Sequence, residues 1–257
     1  MDAPRYLQLE PDTKLAYHTI AARGPGASAP GIVFLGGFRS DMTGTKALWL
    51  EAWARARGRA FLRFDYRGHG ASSGAFEDHC IGDWADDAAA AVTRLTEGPQ
   101  ILVGSSMGGW IALLLAKRHP ERVAALVGIA AAPDFTEDGM WGRFTEAERR
   151  RLMREGRLVQ PSAYSDEPTV ITRRLIEDGR RHLVLLSELT LPVPVRLVQG
   201  TADADVPHEW ALRLLGHLAS PDARLTLVKA ADHRFSGPRE LAILGETLEE
   251  ITRAVAA

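Results

Sequence analysis

The chain predicts an α/β fold: one domain, residues 1–257, built on a mostly parallel eight-stranded sheet with helices on both faces and a helical cap inserted at 134–190. Three observations lead there. Short β-branched or apolar runs alternate with longer amphipathic stretches, the pattern of a parallel sheet covered on both sides. The alternation breaks once, between Pro133 and Pro192, where charged helix-forming segments replace strand-like runs. And Gly104-Ser105-Ser106-Met107-Gly108 joins the apolar run Gln100-Ile101-Leu102-Val103 to a helix-like stretch that begins at Trp110, so a strand, a sharp turn and a helix follow in immediate succession.

In chain order, strands are expected over 6–8, 14–19, 31–35, 60–65, 100–104, 123–130, 195–200 and 224–228. Helices are expected over 46–57, 81–97, 107–118, 209–218 and 240–255. Pro25, Gly26 and Pro30 mark an early exposed turn. Within the insert, 145–155 and 170–177 read as helices; Ala131-Ala132-Pro133 precedes it and Leu191-Pro192-Val193-Pro194 follows it. An insert so placed overhangs the C-terminal edge of the sheet, where open α/β sheets bind ligands.

Length and composition narrow the function by exclusion. An apolar fraction of 46% suffices for a large core. A formal charge of −2 offers no basic field to a nucleic acid and no polybasic face to a membrane, and no apolar stretch is long enough to span a bilayer. A single cysteine, Cys80, rules out an intramolecular disulfide and reads as a buried structural thiol. Histidines 18, 79, 119, 182, 208 and 217 are scattered singly, with no pair at metal-ligand spacing on a shared face, so neither a metal nor a cofactor is expected.

The Gly104–Gly108 turn has the form of a nucleophile elbow. A serine at its centre sits on strained backbone that neighbouring side chains would obstruct, so glycine flanks it on both sides. Ser106 is the candidate nucleophile, and Ser105, at the variable position, is expected to point away. Such a nucleophile needs a base and an acid to orient the base. Asp203 stands three residues past Gly200, at the end of a strand-like run, and His233 follows the run 224–228 on a loop. Asp205 is a rival acid. Asp232 is a weaker one, because its sequence neighbour His233 leaves it little room to fold back onto the ring. Acyl transfer also requires backbone N–H donors for the developing oxyanion. These are assigned to Met107, directly after the nucleophile, and to Phe38, where Gly36-Gly37 lets the backbone approach closely. Asp65, Arg67 and His69 read as loop braces. Met140, Trp141, Phe144 and Leu152 could wall an acyl pocket beneath the cap, and Trp141 and Phe144 are taken as its substrate-binding residues.

With these residues in place, the chain resembles the α/β-hydrolase family throughout, and more narrowly a branch of palmitoyl-protein thioesterases that also cleave acyl glucuronides. The narrower likeness rests on Phe38-Arg39-Ser40-Asp41-Met42-Thr43-Gly44-Thr45-Lys46-Ala47, on Phe64-Asp65-Tyr66-Arg67-Gly68, on residues 98–110, on Ser162-Ala163-Tyr164-Ser165 and on Asp232-His233-Arg234. The resemblance implies a serine hydrolase acting on acyl esters or thioesters, including those of S-acylated proteins, with Ser106, Asp203 and His233 at the triad positions. Carbon–carbon bond hydrolysis, acyl transfer and a non-catalytic binding role use the same scaffold. Gly36 departs from the family, many of whose members carry histidine there. With no targeting segment before Met1, a bacterial, cytoplasmic protein is expected.

Overall fold

The computed structural model describes residues 3–161 and 168–256. Its main sheet holds all eight expected strands: β1 (Arg5–Glu10), β2 (Thr13–Ile20), β3 (Ile32–Leu35), β4 (Phe61–Phe64), β5 (Gln100–Ser105), β6 (Val123–Ile129), β10 (Val195–Gly200) and β12 (Ala223–Val228), in the spatial order β1-β2-β4-β3-β5-β6-β10-β12. β1 and β2 form an antiparallel hairpin, β2 runs antiparallel to β4, and the remaining six strands are parallel. Central β3, β4, β5 and β10 are buried along their whole length, whereas edge strand β1 is nowhere buried. That is why the inner strands read as mostly apolar runs, broken by a few buried polar side chains such as Arg63 and Arg196.

The two-residue period of the strands sorts their side chains onto two cores. Ile32, Phe34, Ile101 and Val103 face α1 (Thr45–Ala56) and α7 (Pro238–Ala256), packing with Leu50, Trp53, Leu244 and Leu248. Val33, Leu35 and Leu102 face the other way, toward α2 (Ile81–Leu95) and α3 (Met107–Arg118), with Trp84 and Trp110 fully buried. Helix α6 (His208–His217) packs on β10 and β12. Cys80 is buried at the start of α2, where its thiol donates to Asp83 Oδ2 at 3.1 Å; burial, with that carboxylate beside it, pushes the thiol up to about 12.

The insert is not all helical. After a π-helical turn (Thr136–Met140) and a short 3₁₀ turn come α4 (Glu146–Glu155), an antiparallel hairpin of β7 (Arg157–Gln160) and β8 (Thr169–Thr172), and α5 (Arg173–Arg181). Short β9 (Leu189–Thr190) then pairs with β11 (Leu218–Ala219). The hairpin corrects the expectation of a helix from 170, since Val170–Thr172 are strand and Thr172 caps α5 by accepting the Leu175 N–H at 3.1 Å. Four-residue strands with one inward side chain each, Leu158 opposite Ile171, have no periodicity to detect; their pairing creates them. Helix α4 was legible because Thr145 and Glu148 form a reciprocal capping box and Gly156 ends it at φ 78°. The motif Ser162–Ser165 lies outside the described residues. Among those residues no helix is long and apolar enough to cross a membrane.

Two buried carboxylates hold the insert down. Asp134 accepts the N–H groups of Val184 and Leu185 at 2.9 Å each and so ties its entry to its exit. Asp178 of α5 accepts the Gly82 N–H at 2.7 Å in the first turn of α2, satisfying a donor that has no partner within its own helix.

Candidate active site

Parallel strands bring their C-terminal loops to one edge, and that edge gathers the chemistry. Ser106 leaves β5 at φ 54° and ψ −118°, its N–H donating to Ile129 O at 2.9 Å and its carbonyl accepting from Gly109 and Ala132. The flanking glycines are there for space: a Cβ on Gly104 would lie 2.3 Å from Gly108 O, and one on Gly108 would lie 2.0 Å from Leu35 O. The acid and histidine loops meet just as closely, since a Cβ on Gly200 would lie 2.2 Å from Ala231 O, the atom that accepts the Ala202 N–H at 3.0 Å.

Ser106, His233 and Asp203 form one hydrogen-bonded chain. Ser106 Oγ lies 3.2 Å from His233 Nε2, and His233 Nδ1 lies 2.8 Å from Asp203 Oδ2. Because Asp203 can only accept, Nδ1 carries the ring proton and Nε2 is left to accept from Ser106. Asp203 also takes Gln199 Nε2 at 2.9 Å on Oδ2, and the N–H groups of Val206 and Asp205 at 2.8 and 3.0 Å on Oδ1. Burial by itself would raise this carboxyl, but the hydrogen bonds from His233, Val206 and Gln199 prevail and hold it below the ordinary carboxylate range. Asp205 gives Asp203 its N–H, and the carboxylate on His233 Nδ1 is that of Asp203. Asp232 accepts from Phe235 N at 3.1 Å and so braces its own loop. Ligand atoms of Asp203, Asp205 and His233 lie within 4.8 Å of one another. Four N–H donors already occupy the Asp203 oxygens, however, so this donor set suits an orienting carboxylate better than a metal ligand.

A cleft of about 700 Å³ opens beside Ser106 and His233. Gly37 and Phe38 line it, as do Phe34, Phe135, Met140, Val206 and Trp210, with Arg39, Lys46, Arg143 and Arg234 also on its lining. Ser105 touches the cleft too, though the hydrogen bond to His233 comes from Ser106. The elbow places Met107 at the first position of α3, where an N–H has no partner within the helix. Trp141 and Phe144 do not line the cleft. Trp141 lies under the guanidinium groups of Arg149 and Arg180, at 5.3 and 4.5 Å, and Phe144 and Leu152 are buried in the core. Met140 ends a π-helical turn and Trp141 begins a 3₁₀ turn, an irregular stretch whose facing sequence periodicity does not reveal. Phe135 and Trp210 were missed for a similar reason, Trp210 belonging to α6 outside the insert. Gln199 had a signal, a polar residue inside an otherwise apolar buried strand end.

Asp65, Arg67 and His69 brace loops, as expected. Asp65 accepts from Met42 N and Ala71 N, and Arg67 pairs with the fully buried Asp87. His69 Nε2 accepts the Arg39 N–H at 3.3 Å while Nδ1 faces Arg67 O, among the rings of Tyr66, Phe76 and Trp84. Burial lowers its pKa from 6.5 to about 4. The unfolded chain therefore takes up this proton before the folded one does, so stability should fall as pH drops from about 6.5 to 4, by roughly 3 kcal/mol from this residue. In urea titrations across that window His69→Gln should show a shallower pH dependence than the wild type; an unchanged slope would place the acid sensitivity elsewhere.

Fold and site together define an α/β-hydrolase, and the chain belongs to that family: the model described as "alpha/beta hydrolase fold" matches residues 32–159. Its sequence is 36% identical over 241 residues to the mitochondrial palmitoyl-protein thioesterase ABHD10 of Bos taurus, covering 92% of this chain and 76% of the relative. The solved structure of mouse alpha/beta hydrolase domain-containing protein 10 superposes with a TM-score of 0.88 at 32% identity, covering 99% of this chain and 100% of that one. A solved structure from Agrobacterium vitis S4 gives a TM-score of 0.91 at 40% identity, over 97% of both chains.

Proposed function

We propose that the chain is a serine hydrolase of acyl thioesters and esters working through an acyl-enzyme. The observation that carries this reading is the hydrogen-bonded chain from Ser106 through His233 to Asp203, with Ser106 and His233 on the lining of the cleft. His233 Nε2 takes the Ser106 proton as Oγ attacks the acyl carbonyl. Asp203 holds the ring and stabilises its positive charge. The N–H groups of Phe38 and Met107 receive the oxyanion. Protonated His233 gives its proton to the departing thiol or alcohol, and the same nitrogen then activates the water that hydrolyses the acyl-enzyme. Thioester cleavage is supported by similarity to relatives named as palmitoyl-protein thioesterases, and the apolar side chains on the mixed lining, Phe34, Phe135, Met140 and Trp210 among them, suit an acyl chain.

A fluorophosphonate probe tests the reading, with one adduct expected on Ser106 when the labelled peptide is sequenced by mass spectrometry. Folded protein that takes no label would refute it. Chain selectivity follows from the cleft wall. Met140→Ala should change the preference among p-nitrophenyl esters of graded length by about 1–3 kcal/mol, while Trp141→Ala, outside the lining, should leave the preference as it is. A larger effect at Trp141 would mean that the acyl chain takes another route.

A further inference from the structure

Ser40 belongs to the loop after β3, and none of the steps above uses its side chain. The Gly37 carbonyl accepts from this residue twice, from its N–H at 3.1 Å and from its hydroxyl at 2.8 Å. That carbonyl and the Phe38 N–H are the two ends of one peptide unit. Because a trans peptide is planar, its C=O and N–H point in opposite directions, and holding one aims the other. The unit passes beside the nucleophile, since a Cβ on Gly37 would lie 3.5 Å from Ser106 Cβ.

The flanks of the unit are held as well. The Phe38 ring meets Phe76, Trp84 and Phe135 edge to face at centroid distances of 4.9, 6.0 and 5.5 Å. Arg39 follows at φ 57°, its N–H on His69. What the aromatic cluster leaves undetermined is rotation of the Gly37–Phe38 peptide about its own axis, to which glycine offers little resistance. The Ser40 hydroxyl opposes that rotation, adding the shorter of the two hydrogen bonds on the carbonyl to the one the Ser40 N–H makes. Donors on the carbonyl also polarise the amide and make its N–H a stronger donor in turn.

We infer that Ser40 is a positioning residue of the oxyanion hole: its hydroxyl locks the Gly37–Phe38 peptide so that the Phe38 N–H faces the oxygen on which charge develops. The inference rests on the serine-hydrolase reading given above. It differs from a role in binding substrate, which the place of Ser40 on the cleft lining would also allow, because an aimed oxyanion donor acts mainly in the transition state and so changes kcat rather than KM.

The test compares Ser40→Ala and Ser40→Thr with wild type, using p-nitrophenyl acetate as substrate and an alkyl trifluoromethyl ketone, which adds to the serine as a tetrahedral oxyanion, as the probe. For Ser40→Ala, kcat should fall about tenfold, KM should stay within about twofold, and ketone affinity should weaken by the same factor as kcat. Ser40→Thr, which keeps the hydroxyl, should recover most of both, and the two variants should melt with wild type. Unchanged kcat and ketone affinity in Ser40→Ala would overturn the inference, as would a raised KM at constant kcat or an equal loss in the threonine variant. Ser106→Ala separates the two levels. If that variant is dead while Ser40→Ala behaves as wild type, only the inference about Ser40 fails; if it still turns over, the underlying reading fails.

Discussion

Ser106→Ala should lower kcat by a factor on the order of 10⁶, the scale seen when a nucleophile that acts as a unit with its base is removed. The remaining rate would come from binding and from the oxyanion donors, which the substitution leaves in place. The fold should survive, because alanine keeps the Cβ that already fits at φ 54° and the Ser106 N–H still reaches Ile129 O. Ser105→Ala is the matching control. Ser105 ends β5 next to the same cleft, but Ser106 holds the hydrogen bond to His233, so losing the Ser105 hydroxyl should cost little. The measurement is steady-state turnover of an acyl thioester and of p-nitrophenyl acetate, with the melting temperature recorded for each variant. A dead Ser105→Ala beside an active Ser106→Ala would reverse the assignment.

Asp203→Asn should lower kcat by about 10³–10⁴ with little change in KM. An amide has an NH₂ where the carboxylate had only lone pairs. With asparagine facing Nδ1, the ring is driven toward the tautomer that carries its proton on Nε2, where it can no longer accept from Ser106. Asp205→Asn provides the contrast, since its backbone N–H on Asp203 Oδ1 is unaffected by the change of side chain. A larger loss at 205 than at 203 would make Asp205 the orienting acid.

Much of this molecule could be read directly from its residues. The eight strands of the main sheet were legible because inner parallel strands are mostly apolar on both faces and edge strands alternate, and burial during folding acts on that pattern. The elbow at Ser106 was legible because close backbone approach tolerates only glycine at 104 and 108. Asp203 and His233 could be placed because parallel strands deliver their following loops to one edge, whatever covers that edge. Gln199 left only a faint mark, a buried polar residue at the end of a strand that also carries Arg196, and its use became clear once the Asp203 oxygens and their donors were in view.

Local sequence therefore determined the sheet, its flanking helices and the residues brought together at the site, since each of those depends on periodicity or on a backbone conformation that few residues adopt. Tertiary structure alone decided the rest. The hairpin Arg157–Gln160 with Thr169–Thr172 exists only through pairing. Met140 lines the cleft while Trp141 lies beneath Arg149 and Arg180, at the junction of a π-helical and a 3₁₀ turn. Ser40 finds Gly37 only when a loop folds back on itself, and Trp210 reaches the same cleft from another helix. Contacts of this kind are made between segments whose own sequences are compatible with several arrangements, and the choice among them is settled by how the whole chain packs.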